Sequence, residues 1–183
     1  DEPFFLEVHP LLGDTVFYTT DGSIPTPDSE FYTEPILLKD PSDLPNGISE
    51  IPTTGENMNS DRKWVSPGQK VAKANVLRFA SYRNGQRSSD IHTQTFFIGS
   101  TVNHYTMPVV SLITEPANLF DHDTGIYVPG VHFDSNDPYW SGNSFQRGDA
   151  WERDVHVSYF PTEGPAAFAQ DAGMRIHGGG SRD

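Results

Sequence analysis

The chain has 183 residues, which suits one large domain or two small ones, with 12 basic residues against 25 acidic ones and a formal net charge of −13. That charge argues against nucleic acid or an anionic membrane face as the main partner. Cysteine is absent, which excludes disulfides, thiolate catalysis and zinc–thiolate sites, and no apolar run approaches the roughly 20 residues that cross a bilayer.

The first half of the sequence is typical of short antiparallel strands separated by tight turns. A strand is predicted over Thr15–Thr19 before the turn dipeptide Asp21-Gly22, and another over Glu34–Leu38. The segment around Asn84-Gly85 carries the strongest hairpin signal in the chain, and a further strand is predicted over Ile91–Gly99. Residues 1–99 are therefore predicted to form a small β-sandwich.

Two polar stretches interrupt these strands. Residues 39–68 are rich in Pro, Asn, Ser, Asp and Gly, so we predict a long surface loop pinned to the body by Ile51 and Trp64. Residues 100–106 form a polar connector.

The second half begins with an apolar run, Val109–Ile113, of the kind that is buried on both faces. One helical turn is predicted over Pro116–Phe120, and a short strand over 125–130. Residues 131–150 are predicted to be a loop. The alternating residues 151–160 and a run ending at His177 then predict two more strands.

Specific blocks carry a resemblance to known families. "VFYTTDGSIPT", "VLRFASYRNGQRSS" and "TQTFFI" resemble the chitobiase/β-hexosaminidase C-terminal type of domain, a fibronectin-type-III-like β-sandwich. "MPVVSLITEPANLFDHDTGIYVPG", "WERDVHVSYF" and "DAGMRIHGGGSR" resemble the N-terminal portion of CotH-type proteins, which are atypical kinases first known from spore coats. The resemblance implies a β-sandwich at 1–99, a linker at 100–106 and the first strands of an α+β CotH-type domain at 107–183.

The resemblance also implies a function for a longer protein. A complete CotH-type protein would transfer phosphate from a nucleotide, with ATP and Mg²⁺ as cofactors, to protein hydroxyls. In that family a lysine-bearing strand and metal-binding carboxylates come later in the chain, so we expect them beyond Asp183. This chain is then expected to be the non-catalytic front portion of a secreted or cell-surface protein, inactive by itself and without a cofactor of its own.

The closing glycines are the segment of that family that this chain retains. Gly178, Gly179 and Gly180 allow backbone N–H groups to converge on an anion, with Ser181 and Arg182 as further donors. The segment is a candidate phosphate loop, and the alternative is an ordinary turn.

Two other clusters have a functional and a structural interpretation. Asp121, Asp123 and Gly125 have the spacing of a calcium loop, but His132 stands where a bidentate Glu is needed, so a turn held by aspartate side chains is favoured. At "WER", a local ion pair between Glu152 and Arg153 that covers Trp151 is favoured over a functional arginine. His156 and His177 are predicted to be structural.

Exposed aromatic rings can stack on the C–H face of a sugar ring. Tyr139 and Trp140, in a loop rich in Pro, Asn and Gly, are the best candidates for glycan contact, whereas Tyr18 is predicted to lie in the core. The other aromatic candidates are Phe31, Tyr32, Trp64 and Tyr82.

The sequence leaves two functions open. The chain is either the front of a CotH-type protein or an extracellular structural, adhesion or glycan-contacting β module with no enzymatic role. In both cases the expected partner is a protein or a glycan at the cell surface, with no nucleic acid and no membrane-spanning segment.

Overall fold

A computed structural model describes residues 2–55, 58–59, 61–99 and 105–179, and the protein is mainly β, as predicted. Its strands form three antiparallel sheets. In chain order the strands are β1 (Phe4–Leu6), β2 (Thr15–Thr19), β3 (Glu30–Phe31), β4 (Ile36–Leu38), β5 (Asn75–Arg83), β6 (Gln86–Arg87), β7 (His92–Phe96), β8 (Val109–Ile113), β9 (Arg153–Phe160) and β10 (Phe168–Met174). One short α-helix, α1 (Pro116–Phe120), and four 3₁₀ turns complete the described elements.

The chain divides into two compact units, each built from several segments. Unit 1 comprises Asp1–Pro45, Lys70–Ile113 and His156–Gln170, and unit 2 comprises Asn46–Gln69, Thr114–Val155 and Asp171–Asp183. The domain boundaries expected from the sequence, 1–99, 100–106 and 107–183, stay a prediction.

Unit 1 is organised around β5, the longest strand. β2 pairs with β5 along one edge, from Thr15 opposite Tyr82 to Thr19 opposite Arg78, and β7 pairs with it along the other. The Asn84-Gly85 turn closes the hairpin from β5 to β6 with both residues at positive φ, 52° and 76°, as this dipeptide predicts. The predicted strand Thr15–Thr19 is confirmed residue for residue.

A second, two-stranded sheet of β1 and β4 completes the β-sandwich of unit 1. Leu38 from β4 joins a buried cluster with Val16, Leu77, Phe79 and Ile98, which come from β2, β5 and the segment that follows β7. Tyr18 packs against this cluster, as the sequence predicted. Burial of these side chains supplies the main stabilisation of the sandwich, at about 25 cal/mol per Å² of apolar surface.

The third sheet has the strand order β10-β9-β8. β8 has the predicted bounds, but the expectation that it is buried on both faces is wrong. Val110 and Leu112 are 56% and 51% exposed, whereas their neighbours in β8 are half-buried. The reason is the period of two in a strand: only the face with Val109 and Ser111 packs inward, and there Ser111 Oγ lies 2.9 Å from Thr95 Oγ1.

Unit 2 is largely irregular apart from α1, the 3₁₀ turns and the parts of β9 and β10 that it includes. The helix α1 has the predicted bounds, with Pro116 in its first turn. The strand predicted over 125–130 is wrong, because this segment is a succession of turns. Ile126 and Val128 are nevertheless buried, since their backbone follows α1 closely: the Ile126 amide donates to the Asn118 carbonyl at 3.0 Å. The apolar pattern of this segment therefore predicted its burial correctly but not its secondary structure.

One buried amide side chain organises these turns. Asn143 is 1% exposed, and its Nδ2 donates to the carbonyls of His122 and Gly125, both at 3.0 Å. Its Oδ1 accepts the His132 amide at 3.3 Å. Gly130 allows this approach: its φ is +59°, and a Cβ there would lie 2.0 Å from Asn143 Nδ2, so no other residue fits.

The described residues of the long loop over 39–68 are irregular, as predicted, apart from one 3₁₀ turn, Ile48–Glu50. The expected anchors, Ile51 and Trp64, are half-buried. Met58, at 7% exposure, is the more deeply buried anchor among the described residues of this loop.

Candidate functional site

The candidate glycan-contacting residues lie on a loop of unit 2 that is closed by its own polar side chains. The Asp134 amide donates to Ser141 Oγ at 2.8 Å, and that hydroxyl donates to the Asp134 carbonyl at 3.2 Å. Asp134 Oδ1 also accepts the Asn136 amide at 2.8 Å, which is the usual aspartate-initiated turn. This closure fixes the segment that presents Tyr139 and Trp140.

The structure places the two rings differently. Tyr139 is half-buried; its hydroxyl accepts the Asn59 amide at 3.2 Å, and the guanidinium of Arg62 stands 5.6 Å from its ring centroid. Trp140 is 61% exposed and leans on Phe145, with the ring centroids 6.0 Å apart and the planes tilted by 60°. We call Tyr139, Trp140 and Phe145 the aromatic surface.

The chemistry open to the aromatic surface is stacking rather than acid–base catalysis. Arg62 already occupies one face of the Tyr139 ring, so Trp140 offers the larger free area. An indole presents a flat apolar face together with one N–H donor, the combination found where a ligand has an apolar side and hydroxyls.

The other predicted aromatic candidates are distributed over both units. Tyr18, Phe31 and Tyr32 come together along one groove of unit 1. Tyr82 donates its hydroxyl to the Pro25 carbonyl at 2.9 Å, a structural bond. Trp64, in unit 2, is half-buried, with its amide bonded to Thr54 Oγ1 at 2.7 Å.

The candidate phosphate loop is described only in part. Gly178 and Gly179 follow β10, and the Gly178 carbonyl accepts a bond from Arg147 Nη2 at 3.4 Å. Gly180, Ser181 and Arg182 lie outside the described residues, so the phosphate loop stays a prediction.

The Asp121 segment is the turn that the sequence favoured. Asp121 Oδ1 accepts the amides of Asp123 and Thr124, at 2.9 and 2.8 Å, and the Thr124 hydroxyl at 2.9 Å. These bonds, led by that of the Thr124 amide, hold the pKa of the Asp121 carboxyl below its ordinary value. Within the described ranges, no group of three or more His, Asp or Glu side chains is arranged to hold a metal ion.

The predicted ion pair at "WER" is wrong in its partner. Arg153 does cover Trp151, at 5.3 Å from the ring, but its guanidinium donates to backbone carbonyls, among them that of Thr124. Glu152 pairs instead with Arg175, the residue that follows β10, and its Oε2 lies 3.1 Å from Arg175 Nε. Glu152 lies between the 3₁₀ turn Asp149–Trp151 and β9, and from there its carboxylate reaches a residue distant in sequence.

Three residues at or near this site were not predicted from the sequence. Arg62 stands over the Tyr139 ring, Phe145 supports Trp140 within the aromatic surface, and Asn143 holds the turns of this unit through its hydrogen bonds. The sequence around these residues indicated only a polar loop, because a contact between residues as distant as 62 and 139 depends on tertiary folding. Gly130 and Gly142, on either side of the 131–141 loop, are the nearest local hint of a tightly packed turn region.

Comparison with known proteins supports the first half of the sequence-based assignment. Residues 9–96 match the family model described as "Fn3 associated", a span that covers β2 to β7 of unit 1. The match supports a fibronectin-III-like, β-sandwich-associated domain there. No curated protein and no solved structure matches the chain. Among the described residues, no helix is long and apolar enough to cross a membrane.

Proposed function

We propose that this chain is a non-catalytic β module of a secreted or cell-surface protein, and that its aromatic surface contacts a glycan. The observation that carries the proposal is Trp140, a large aromatic side chain that remains 61% exposed on a loop closed by hydrogen bonds. An exposed ring held in place binds a ligand with little loss of conformational entropy.

The surroundings of Trp140 suit a neutral sugar. Its ring is supported by Phe145 on one side, and the loop supplies hydroxyl and amide groups from Ser135, Asn136 and Ser141. A pyranose has an apolar C–H face for the indole and hydroxyls for such groups. The match of residues 9–96 to an Fn3-associated model supports the β module, and the choice of glycan is our proposal.

A glycan array probed with the purified chain tests the proposal. We expect a defined set of glycans to be retained, and Trp140→Ala to lose at least about 1 kcal/mol, or fivefold in affinity, on each of them. Tyr127→Ala is the matched control, because Tyr127 is also in unit 2 and 50% exposed but lies outside the aromatic surface. Equal loss in both variants, or no retained glycan, contradicts the proposal.

A second candidate function rests on the sequence blocks of residues 107–182. We propose that a longer protein containing this chain has CotH-type kinase activity, with the segment from Gly178 to Arg182 as part of its phosphate loop. Arg147, whose guanidinium lies at Gly178, is a further cation beside that segment. Incubation of the longer natural protein with labelled ATP and Mg²⁺ tests this proposal. We expect the longer protein to incorporate phosphate into protein hydroxyls and the present chain to show no turnover.

A further inference from the structure

Unit 1 contains an open groove of about 720 Å³ that neither proposal above uses. Four aromatic rings and two carboxylates line it, together with small and aliphatic residues. The aromatic lining residues are Phe5, Tyr18, Phe31 and Tyr32, and the acidic ones are Glu7 and Glu34. We call this the aromatic groove.

Its rings combine fixed and exposed members. Phe5 and Phe31 are 65% and 60% exposed, so their faces are open to a ligand. Tyr32 is held by the bond that its hydroxyl accepts from the Val8 amide at 3.1 Å, and Tyr18 by the bond that it donates to Glu30. The groove is therefore largely formed before any ligand arrives.

Its charge is one-sided. Glu7 and Glu34 contribute carboxylates to the lining, which contains no Lys, Arg or His. Among the residues that the structure describes, the one basic group in an ion pair with either carboxylate is the exposed His9, whose Nε2 lies 4.0 Å from Glu7 Oε2. Carboxylates beside aromatic faces attract a cation that has apolar substituents, because ring quadrupoles and negative charges act in the same direction.

The same lining is less suited to a neutral sugar. Among the lining residues there is no amide side chain and no positively charged donor, and the two most open rings are those of phenylalanine, which offer no hydrogen bond. A ligand that needs several side-chain donors from the protein finds only hydroxyls there. The complementary chemistry is positive charge on carbon-rich substituents.

We propose that the aromatic groove binds an alkylammonium group, with Phe5 and Phe31 against its methyl or methylene groups and Glu34 beside its charge. Two sources share this chemistry: a free quaternary ammonium compound and a lysine side chain of a protein. The proposal is independent of glycan contact at Trp140, which lies in unit 2.

The test is an NMR titration of the intact chain with choline, with Nα-acetyl-lysine amide, and with 3,3-dimethylbutan-1-ol, the neutral isostere of choline. We expect saturable shifts of the Tyr18 and Tyr32 ring resonances with the cations and none with the isostere. Tighter binding of choline identifies the free compound as the source, and tighter binding of the lysine amide identifies a protein side chain.

Variants assign the effect to the groove. Glu34→Gln, a substitution of an exposed side chain, is expected to weaken cation binding about two- to fivefold, the size of a solvent-exposed charge pair. Phe5→Ala and Phe31→Ala, which alter different strands, should each weaken cation binding more than Glu34→Gln does. Tyr127→Ala, at an exposed aromatic residue outside the groove and outside the aromatic surface, should leave it unchanged. Equal binding of the neutral isostere, no saturable shift, or full affinity in both phenylalanine variants overturns the proposal.

Discussion

Replacement of Asn143 by alanine is the sharpest test of how unit 2 holds its loops. The native side chain is 1% exposed and makes three hydrogen bonds, to the carbonyls of His122 and Gly125 and from the amide of His132. Alanine removes all three bonds. The His122 carbonyl keeps the bond from the Val131 amide at 2.9 Å, whereas the Gly125 carbonyl and the His132 amide lose the partner that Asn143 provides.

The magnitude follows from these bonds. A buried hydrogen bond contributes about 1 kcal/mol net, so the three together predict a loss of about 3 kcal/mol in the free energy of unfolding of unit 2. That loss is a large part of the total for a small domain, which is typically about 5–15 kcal/mol.

Tryptophan fluorescence during urea denaturation is a selective assay. All three tryptophans of the chain, Trp64, Trp140 and Trp151, belong to unit 2, so their emission follows this unit. We expect the Asn143→Ala midpoint to fall with an unchanged slope, as for a loss of stability in a two-state transition.

The matched control is Asn136→Ala in the same unit. Asn136 is exposed and its side chain donates one bond, to Asp134 Oδ1 at 3.0 Å. Its removal should cost no more than about 0.5 kcal/mol, as for other surface substitutions. A cost below about 1 kcal/mol for Asn143→Ala, or equal costs for both variants, would refute the hydrogen-bonding argument.

Three further predictions concern packing and titration. Leu77→Ala should destabilise unit 1 by about 2–5 kcal/mol, because Leu77 is 0% exposed in the core. The loss in the free energy of unfolding should appear as faster amide hydrogen exchange in β5. The bond that Tyr18 donates to Glu30, with burial, raises the pKa of Tyr18 to about 12. The stability that this bond contributes is therefore complete below about pH 10, the ordinary pKa of tyrosine, and is lost as the pH rises through the folded-state pKa. An ultraviolet titration should show Tyr18 ionising at high pH, and Glu30→Gln should lower the pH at which it ionises. The bonds that lower the pKa of Asp121 stabilise the protein above the ordinary aspartate pKa of about 4, and this stabilisation is lost as the pH falls through the folded-state pKa. Thr124→Ala should raise the pKa of Asp121, as measured by a ¹³C titration of its carboxyl group.

Local signals in the sequence predicted the elements that depend on local interactions. The strand Thr15–Thr19, the helical turn Pro116–Phe120 and the Asn84-Gly85 hairpin match the structure because turn chemistry and strand patterning act within a few residues. The aspartate-held turn at Asp121 was predictable for the same reason.

Features that depend on distant residues were not predictable. Val109–Ile113 is apolar except at Ser111, and the sequence did not reveal that one of its faces is exposed. Val128 is buried by turns rather than by strand pairing, and Glu152 pairs with Arg175, 23 positions later in the chain. For the candidate site, the exposure of Trp140 was inferred from loop composition, whereas its support by Phe145 required the fold.

The most direct measurement of glycan contact follows the three indole N–H resonances of the chain during titration with a glycan retained on the array. Trp140→Phe identifies the Trp140 signal by its disappearance. We predict that this signal moves in a saturable way while those of Trp64 and Trp151 stay in place, because Trp140 is the tryptophan on the aromatic surface. A titration in which the Trp140 signal stays fixed, or in which the other two move instead, would contradict the proposed role of this surface.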